Sequence, residues 1–355
     1  MTTAHSAQLL VCMGSGGVGK TTTAAALALR AAQEGRKVCV VTIDPAKRLA
    51  DALGVRGELS NEPSLVSNFG DGELWAMMLD ARQTFVDLIA STSTSAEQAE
   101  RIHNNALFSS IARQLGGTQE YMAAEKLFQL HRDDRFDLVI VDTPPSREAL
   151  NFLGAPNTLV RFLDHRVYRT FLAPARGGLK IVSAALTPIF KAVTRLVGAD
   201  VITDVIGFFA AFEGLDQGFR DRAESINAVL RDRSTTYVVV TSPEVEPMRE
   251  ATFIIGELKR QNISLSAVIC NAMTPDFGVA TTNDYIASPR HAAVHQQLSE
   301  RRSREVTRLD SLRETVGGDV KVATVDLMAH DVTSLDGLTT IASALEGIAE
   351  RSARE

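Results

Sequence analysis

Short, almost wholly apolar runs recur along this chain, and longer segments with helical spacing of apolar positions separate them. The first run covers Gln8–Gly14, an alanine- and leucine-rich segment follows at Thr21–Glu34, and a second apolar run covers Lys37–Asp44. Strands that are apolar throughout, rather than alternating, are typical of a parallel sheet covered by helices on both faces. The start of the chain therefore predicts a strand, a helix and a parallel strand.

The same succession continues to the end of the chain. Further strands are predicted at Leu74–Leu79, where the pattern is weaker, and at Phe136–Asp142, Tyr237–Pro243, Leu265–Asn271 and Val320–Val325. Helices are predicted at Pro247–Gln261, 288–316 and Leu335–Arg351. Together these elements predict an α/β fold with one mostly parallel sheet of about seven strands flanked by helices.

Two segments are longer than a connection across a sheet requires. Residues 82–131 and 157–233 are largely helical in pattern, whereas crossover connections are usually short. We expect a single domain over residues 1–355, in which these segments form an inserted helical subdomain. The second segment is rich in Phe, Leu, Ile and Val, which predicts either an ordinary core or a hydrophobic surface, and only geometry distinguishes the two.

Composition and charge narrow the class of protein. The net charge is −6, whereas proteins that grip a phosphate backbone usually carry a basic excess, so no nucleic-acid partner is expected. The most apolar stretch, 179–212, is broken by charged residues and falls short of the roughly 18 apolar residues of a membrane span. Since no secretory segment is recognised, we expect a cytoplasmic protein, with peripheral membrane association left open.

The three cysteines, Cys12, Cys39 and Cys270, each lie inside a predicted strand and never form a CxxC pair. This pattern predicts reduced, buried thiols rather than a metal or metalloid site.

A glycine-rich loop links the first predicted strand to the first helix. Residues 14–21, GSGGVGKT, match the GxxxxGK[ST] phosphate-loop pattern in its strand–loop–helix context. Glycines let successive backbone N–H groups point at phosphates, and the helix N-terminus adds its positive end. Lys20 is expected at the β- and γ-phosphates, and the Thr21 hydroxyl on Mg²⁺. The residues expected to bind ATP here are Gly14, Ser15, Gly16, Gly17, Val18, Gly19, Lys20, Thr21 and Thr22.

Two aspartates end strongly apolar strands. Because ligands bind at the carboxyl ends of parallel strands, Asp142 is expected to hold Mg²⁺ with Thr21, and Asp44 to face the same crevice. Either aspartate alone could instead cap a helix, but two together favour the site. Guanine-specific phosphate-loop proteins carry an NKxD-type sequence; here Asn271 is followed by Ala-Met-Thr-Pro, so adenine is favoured, with Asn271 as its amide partner.

At this point the chain resembles the ArsA/GET ATPases, the deviant Walker A proteins that drive arsenite efflux and tail-anchored membrane-protein targeting. The resemblance covers nearly the whole chain and rests on GSGGVGKTTT (14–23), IDPAKRLADALG (43–54), GGTQEYMAAEKL (116–127), VDTPPSREALNFLGAP (141–156), TSPEVEPMREA (241–251) and ICN (269–271).

The resemblance implies roles by position. Asp44 would orient the water that attacks the γ-phosphate and act with Lys20 as a catalytic residue. Asp142 would begin a second switch segment, Asn271 would contact adenine, and Glu250 would lie near the nucleotide of the facing subunit. In the family, two such domains sandwich ATP and change their separation on hydrolysis, which exposes or covers a hydrophobic surface for a client.

The chain also departs from the family pattern. A signature lysine that reaches the partner's ATP usually stands where this chain has Ser15. Either a homodimer hydrolyses ATP slowly, or the partner is a paralogous ATPase that carries the lysine. The metalloid branch has a Gly-His pair where Arg147 and Glu148 stand here, and targeting factors of eukaryotes have a CxxC zinc clamp that this chain lacks. A metalloid pump is therefore not expected.

Other function classes share the phosphate loop. A MinD/ParA-like positioning ATPase is the main alternative, but it needs a basic face or a terminal amphipathic helix, and Leu335–Glu355 is acidic in balance with no lysine. An iron–sulfur electron donor needs clustered thiolates at an interface, which the cysteine positions disfavour. A small-molecule kinase remains, and phosphate release without an acceptor would argue against it.

Overall fold

A single sheet forms the centre of the fold. A computed structural model of the chain describes residues 8–44, 47–103, 118–145, 147–164, 215–278 and 289–348. Its strands are β1 (Gln8–Gly14), β2 (Lys37–Thr42), β3 (Ser64–Phe69), β4 (Gly72–Met78), β5 (Leu138–Asp142), β6 (Thr235–Thr241), β7 (Leu265–Met273) and β8 (Lys321–Asp326). They form one eight-stranded sheet in the order β3-β4-β2-β5-β1-β6-β7-β8. Only β3 pairs antiparallel with its neighbour, which confirms the mostly parallel α/β fold.

Helices lie between and after these strands along the chain. They are α1 (Lys20–Gln33), α2 (Arg48–Leu53), α3 (Ala81–Thr92), α4 (Ala96–His103), α5 (Thr118–His131), α6 (Arg147–Asp164), α7 (Leu215–Arg231), α8 (Val245–Arg260), α9 (Pro289–Val316) and α10 (Leu335–Ala344). None of the helices in the described ranges combines the length and hydrophobicity that a membrane span requires.

The central strands are buried almost throughout, because they are apolar on both faces. Every residue of β5 is buried, and so is every residue of β1 and β2 beyond the first. Their parallel register places Asp142 opposite both Cys12 of β1 and Thr42 of β2. The carboxyl ends of the three strands therefore meet at one edge of the sheet, where ligands bind in open α/β sheets.

Helix α1 packs closely on the sheet and against α10. Its alanines are fully buried from Ala24 to Ala28, and small side chains let the helix approach its neighbours closely. On α10, the residues that are buried are Leu338, Ile341 and Ala342. The C-terminal helix is thus part of the main core.

The predicted count of about seven strands was one too low. The missed strand, β3, lies at the edge of the sheet and carries mostly polar or exposed residues, with Leu65 46% exposed, so it lacks the apolar run that marks the central strands. The predicted helix Leu335–Arg351 ends earlier, at Ala344, where a short turn follows to Ile348. Residues 349–355 lie outside the described residues.

The chain divides into two compact units. The first contains the sheet and comprises Met1–Leu79, Gln129–Leu150 and Arg231–Glu355; the second comprises Asp80–Phe128 and Asn151–Leu230. Most of the predicted hydrophobic segment, residues 165–214, lies outside the described residues, as does 104–117. The description of the chain as one domain with insertions at 82–131 and 157–233 stays a prediction.

Within the second unit, a buried carboxylate on α5 pairs with an arginine on α7. Glu125 is fully buried, and the Nε of Arg222 donates to its Oε2 at 2.8 Å, with further bonds to Oε1. The same guanidinium lies 4.5 Å from the ring centroid of Phe128. Because a buried charge is costly unless it is paired, this contact fixes how the two helices pack.

Candidate nucleotide-binding site

The glycine-rich loop runs from the end of β1 to the first turn of α1, and neighbouring strands confine it at both ends. Gly14 lies opposite Val240 of β6, and a Cβ on Gly14 would lie 2.1 Å from the Val240 carbonyl oxygen. Gly19 has a φ of +86°, and a Cβ there would lie 2.2 Å from Nδ2 of Asn271 on β7. A side chain at Gly14 would clash with backbone, and one at Gly19 would displace the Asn271 side chain, so glycine is favoured at both positions.

Lys20 is the first residue of α1, and its side chain turns back along the loop. Its buried Nζ donates to the carbonyl oxygen of Ser15 at 2.8 Å. Burial lowers the pKa of Lys20, and the charges of Asp142 and Asp44 partly oppose this shift. No side chain caps α1 at Gly19, so the first-turn N–H groups and the positive end of the helix are available to an anion. A desolvated cation and a helix N-terminus thus meet at the loop.

Asp142 ends β5 beside two threonine hydroxyls. Thr21 Oγ1 donates to its Oδ2 at 2.6 Å, and Thr42 Oγ1 donates to the same oxygen at 3.0 Å. Its other oxygen, Oδ1, is buried and accepts no hydrogen bond from any residue in the described part of the chain. Burial raises the pKa of Asp142, while the hydrogen bonds from Thr21 and Thr42 act against this shift. A cation at this carboxylate would relieve the cost of burying its charge.

Asp44 follows β2, and its carboxylate interacts electrostatically with Lys20 and Asp142. Its negative charge acts to raise the pKa of both Lys20 and Asp142. Arg48 Nη1 lies 3.9 Å from the Asp44 Oδ2. Residues 45 and 46, which follow it, lie outside the described residues. The structure thus brings Asp44, Lys20 and Asp142, which are far apart in the chain, to one edge of the sheet.

The oxygen atoms at this edge fit a divalent magnesium ion. Thr21 Oγ1 and the two oxygens of Asp142 are the hard donors that Mg²⁺ prefers, and Mg²⁺ in nucleotide sites takes its remaining ligands from water and phosphate. The described residues contain no cluster of three or more His, Cys, Asp or Glu side chains that could hold a metal.

Burial varies along the rest of the predicted phosphate loop, where Gly16 and Gly17 are exposed. Val18 and Ser15 are 3% and 7% exposed, and the Ser15 hydroxyl oxygen has no hydrogen-bond partner among the described residues. Gly17 has a φ of +80°, whereas Gly16 lies near Pro145, with 3.7 Å from its Cβ position to the proline Cβ. Thr22 is half-buried in the first turn of α1.

Asn271 lies against this loop rather than away from it. Its Nδ2 donates to the Val18 carbonyl oxygen at 2.9 Å. The contact with the loop was not predicted; the predicted role at adenine is a separate one and stays a prediction. Glu250, predicted to face the partner's nucleotide, is half-buried on α8, and its role also stays a prediction.

Two threonine hydroxyls at the site were given no hydrogen-bonding role from the sequence, although Thr143 lies in the second switch segment (142–145) that the family resemblance implies. Thr42 donates to Asp142, and Thr143 donates through Oγ1 to the Cys12 carbonyl oxygen at 2.7 Å. Each stands at the end of a predicted strand beside a predicted site residue, which is the signal that could have identified them.

The cysteines lie in the core of the sheet, as predicted. All three are buried and none forms a disulfide with another cysteine, and burial raises the pKa of Cys12 and, to about 12, that of Cys270. Because a thiolate is the form that binds metals and metalloids, these strand thiols are poor ligands.

Comparisons with known proteins agree with this geometry. A family described as anion-transporting ATPase matches residues 7–347. The chain is similar to an ATPase GET3 of Malassezia globosa (28% identical, covering 74% of this chain and 72% of the relative) and to an ATPase GET3 of Rhodotorula glutinis (25% identical, covering 92% and 84%). It is also similar to an ATPase ASNA1 homolog of Cryptosporidium parvum, at 28% identity over 76% of this chain and 66% of the relative.

Proposed function

The chain belongs to the anion-transporting ATPase family, of the ArsA/GET type, and from this premise we propose that it is a nucleotide-gated dimeric switch for a hydrophobic or membrane-associated client. As a member of this family it is an ATPase, which hydrolyses ATP to ADP and phosphate. The observation that carries the proposal is the meeting of Lys20, Thr21 and Asp142 at the confined glycine-rich loop. We place the protein in the cytoplasm.

The loop and Lys20 would bind the triphosphate. Backbone N–H groups between Gly14 and Thr21, together with the end of α1, offer donors that are already oriented and need no rearrangement. Lys20 would exchange its bond to the Ser15 carbonyl oxygen for the phosphates, and a desolvated ammonium gains most from such a partner.

Thr21 and Asp142 would hold Mg²⁺, which supplies charge neutralisation at the β- and γ-phosphates. Thr42 would then orient the Asp142 carboxylate by the hydrogen bond that it already donates. Asp44 would accept a hydrogen bond from the attacking water and so direct it at the γ-phosphorus, as its position in the family motif implies.

Two such chains, or this chain and a paralogous ATPase, would enclose ATP between them. Since Ser15 stands where the family's signature lysine is expected, a homodimer of this chain would lack that cation across the interface. A paralogous partner that carries the lysine would supply it. The client surface would come from 157–233, most of which lies outside the described residues.

The catalytic part is tested by phosphate release from the purified chain. We expect Lys20→Ala to reduce ATP turnover by at least about a hundredfold, because removing one preorganised charge at the transition state costs about that much. Lys37→Ala is the matched control, since Lys37 is exposed at the start of β2, and it should leave turnover unchanged. Unchanged turnover in Lys20→Ala would refute the assigned site.

The dimer is tested by adding a lysine-bearing paralog. Turnover should rise in the mixture, and an Asp44→Asn chain with ATP should give a long-lived dimer by light scattering. Equal rates of ATP turnover with and without the paralog would contradict the heterodimer.

The client surface is tested with a hydrophobic dye, which should bind differently with and without ATP. Dye binding that is the same in both conditions would contradict a surface gated by the nucleotide.

The positioning alternative finds no support in the C-terminal helix. On α10, Leu338, Ile341 and Ala342 are buried in the core with α1 and are not available to a membrane, while residues 349–355 lie outside the described residues. A membrane-binding terminal helix would present those residues outward.

A further inference from the structure

Helix α9 is long, charged and mostly exposed, yet one of its acidic residues is buried. Glu305 is only 2% exposed, whereas Glu300, one turn earlier on the same helix, is exposed. Burying a carboxylate is unfavourable unless hydrogen bonds compensate it. The hydrogen bonds that compensate the burial of Glu305 therefore show which part of the fold this carboxylate holds in place.

Those contacts reach the segment that follows β7. The backbone N–H of Thr274 donates to Glu305 Oε2 at 2.8 Å, and the Thr274 hydroxyl donates to Oε1 at 2.9 Å. Arg301 Nε donates to Oε1 at 2.8 Å. Burial opposes the charged form, but the hydrogen bonds from Thr274 and Arg301 outweigh it and lower the pKa of Glu305. The carboxylate therefore stays ionised and accepts all three bonds.

The backbone between Thr274 and Asn271 is irregular and needs such support. The β7–β8 register shifts between Cys270 and Met273, and Ala272 has a φ of +59°, in the region that L residues rarely adopt. A bulged strand end lacks part of its ladder of hydrogen bonds. Arg302 also donates to the Thr274 carbonyl oxygen, so residues of α9 bind both the backbone N–H and the backbone carbonyl group of Thr274.

Asn271, at the end of β7, connects this supported backbone to the phosphate loop through a hydrogen bond. Its amide bonds the Val18 carbonyl oxygen at 2.9 Å and lies where a Cβ on Gly19 would be. A shift of the β7 end by a fraction of an ångström would lengthen that bond, because nothing in a close-packed contact absorbs the movement.

We propose that Glu305 is a positioning residue for ATP binding, which fixes Thr274 and thereby holds the Asn271 amide against the phosphate loop. The proposal rests on the proposed function, because it takes residues 14–21 as the site of a nucleoside triphosphate. Glu305 does not touch the nucleotide and acts only through Asn271.

The first test compares Glu305→Gln with Glu300→Gln, the same change on the exposed face of α9. Glutamine cannot accept from both groups of Thr274 and carries no charge, so we expect the KM for ATP to rise about ten- to a hundredfold with kcat within about twofold. Glu300→Gln should behave as wild type. Equal KM values for the two variants would overturn the proposal.

A double-mutant cycle shows whether the effect passes through Asn271. Asn271→Ala alone should raise the KM, and adding Glu305→Gln to it should raise the KM by no more than about twofold further. A general loss of packing would instead multiply the two effects, and that result would overturn the proposal. If Glu305→Gln folds poorly, Thr274→Val removes one donor alone and should raise the KM about two- to fivefold.

Failure of this inference is distinguishable from failure of the proposed function. If Lys20→Ala abolishes ATP turnover while Asn271→Ala leaves the KM for ATP unchanged, the ATP site is supported and the positioning role of Glu305 is contradicted. If Lys20→Ala leaves ATP turnover unchanged, the assigned ATP site itself is wrong, and with it the premise on which the role of Glu305 rests.

Discussion

Replacing Gly19 by alanine should destabilise the chain more than the same change at Gly17, although both glycines have a positive φ. The φ values are +86° and +80°, so an alanine pays the same backbone cost at either position, about 1–2 kcal/mol. They differ in surroundings. Beyond its chain neighbours, no atom of the described residues lies within 4 Å of a Cβ on Gly17, whereas a Cβ on Gly19 would lie 2.2 Å from Asn271 Nδ2.

The clash at Gly19 forces Asn271 to move and breaks its hydrogen bond to the Val18 carbonyl oxygen. A hydrogen bond of this kind contributes about 0.5–1.5 kcal/mol. We therefore expect Gly17→Ala to lower the free energy of unfolding by about 1–2 kcal/mol and Gly19→Ala by about 1.5–3.5 kcal/mol.

Urea denaturation of the nucleotide-free chain measures both values. Trp75, the one tryptophan of the chain, is half-buried on β4 and lies edge-on to Phe136 with ring centroids 6.0 Å apart, so its fluorescence reports unfolding of the sheet. Asn271→Ala removes the clashing atom, and in that background the two alanine variants should be equally destabilised. Equal losses with Asn271 present, or an unequal loss that persists without it, would refute the reasoning.

Three further predictions follow from burial at the site and in the second unit. Since burial raises the pKa of Asp142, the folded chain binds that proton more tightly than the unfolded chain, so the stability of the magnesium-free chain should fall as the pH rises through this pKa. Thermal melts over a series of pH values should show this fall in the wild type and not in Asp142→Asn, which should also reduce ATP turnover at least about a hundredfold. The thiol of Cys270, with its pKa raised to about 12, should react with a thiol reagent at neutral pH only when the chain unfolds, and labelling at a rate typical of an exposed thiol would contradict its burial. Arg222→Met should destabilise the second unit by about 3 kcal/mol, seen in circular dichroism melts, because it leaves the Glu125 carboxylate buried without its guanidinium; an unchanged melt would mean that the pair contributes nothing.

The phosphate loop and its flanking elements were predictable because their signal is local. The spacing from Gly14 to Thr21 lies within eight consecutive residues, and the apolar runs of β1, β2 and β5 mark buried strands wherever the sheet order places them. The edge strand β3 was missed because it lacks this signal. An edge strand is exposed to solvent on one side, and the residues of β3 form no continuous apolar run.

The partners within the site were not predictable in the same way. Thr42 and Asp142 are 100 residues apart, and Asn271 and Val18 are 253 apart; only the strand order brings them within hydrogen-bonding distance. The contact between Thr274 and Glu305 likewise depends on how α9 packs beside β7.

The central strands, the glycine-rich loop and the aspartates at the strand ends could be located from the amino-acid sequence, because periodicity and covalent spacing act between near neighbours in the chain. The folded arrangement was needed to identify the hydroxyl that bonds Asp142, the amide that bonds the loop and the buried carboxylate that bonds the segment after that amide. These contacts join residues from different strands and helices, and their geometry depends on the sheet order, the register and the packing together.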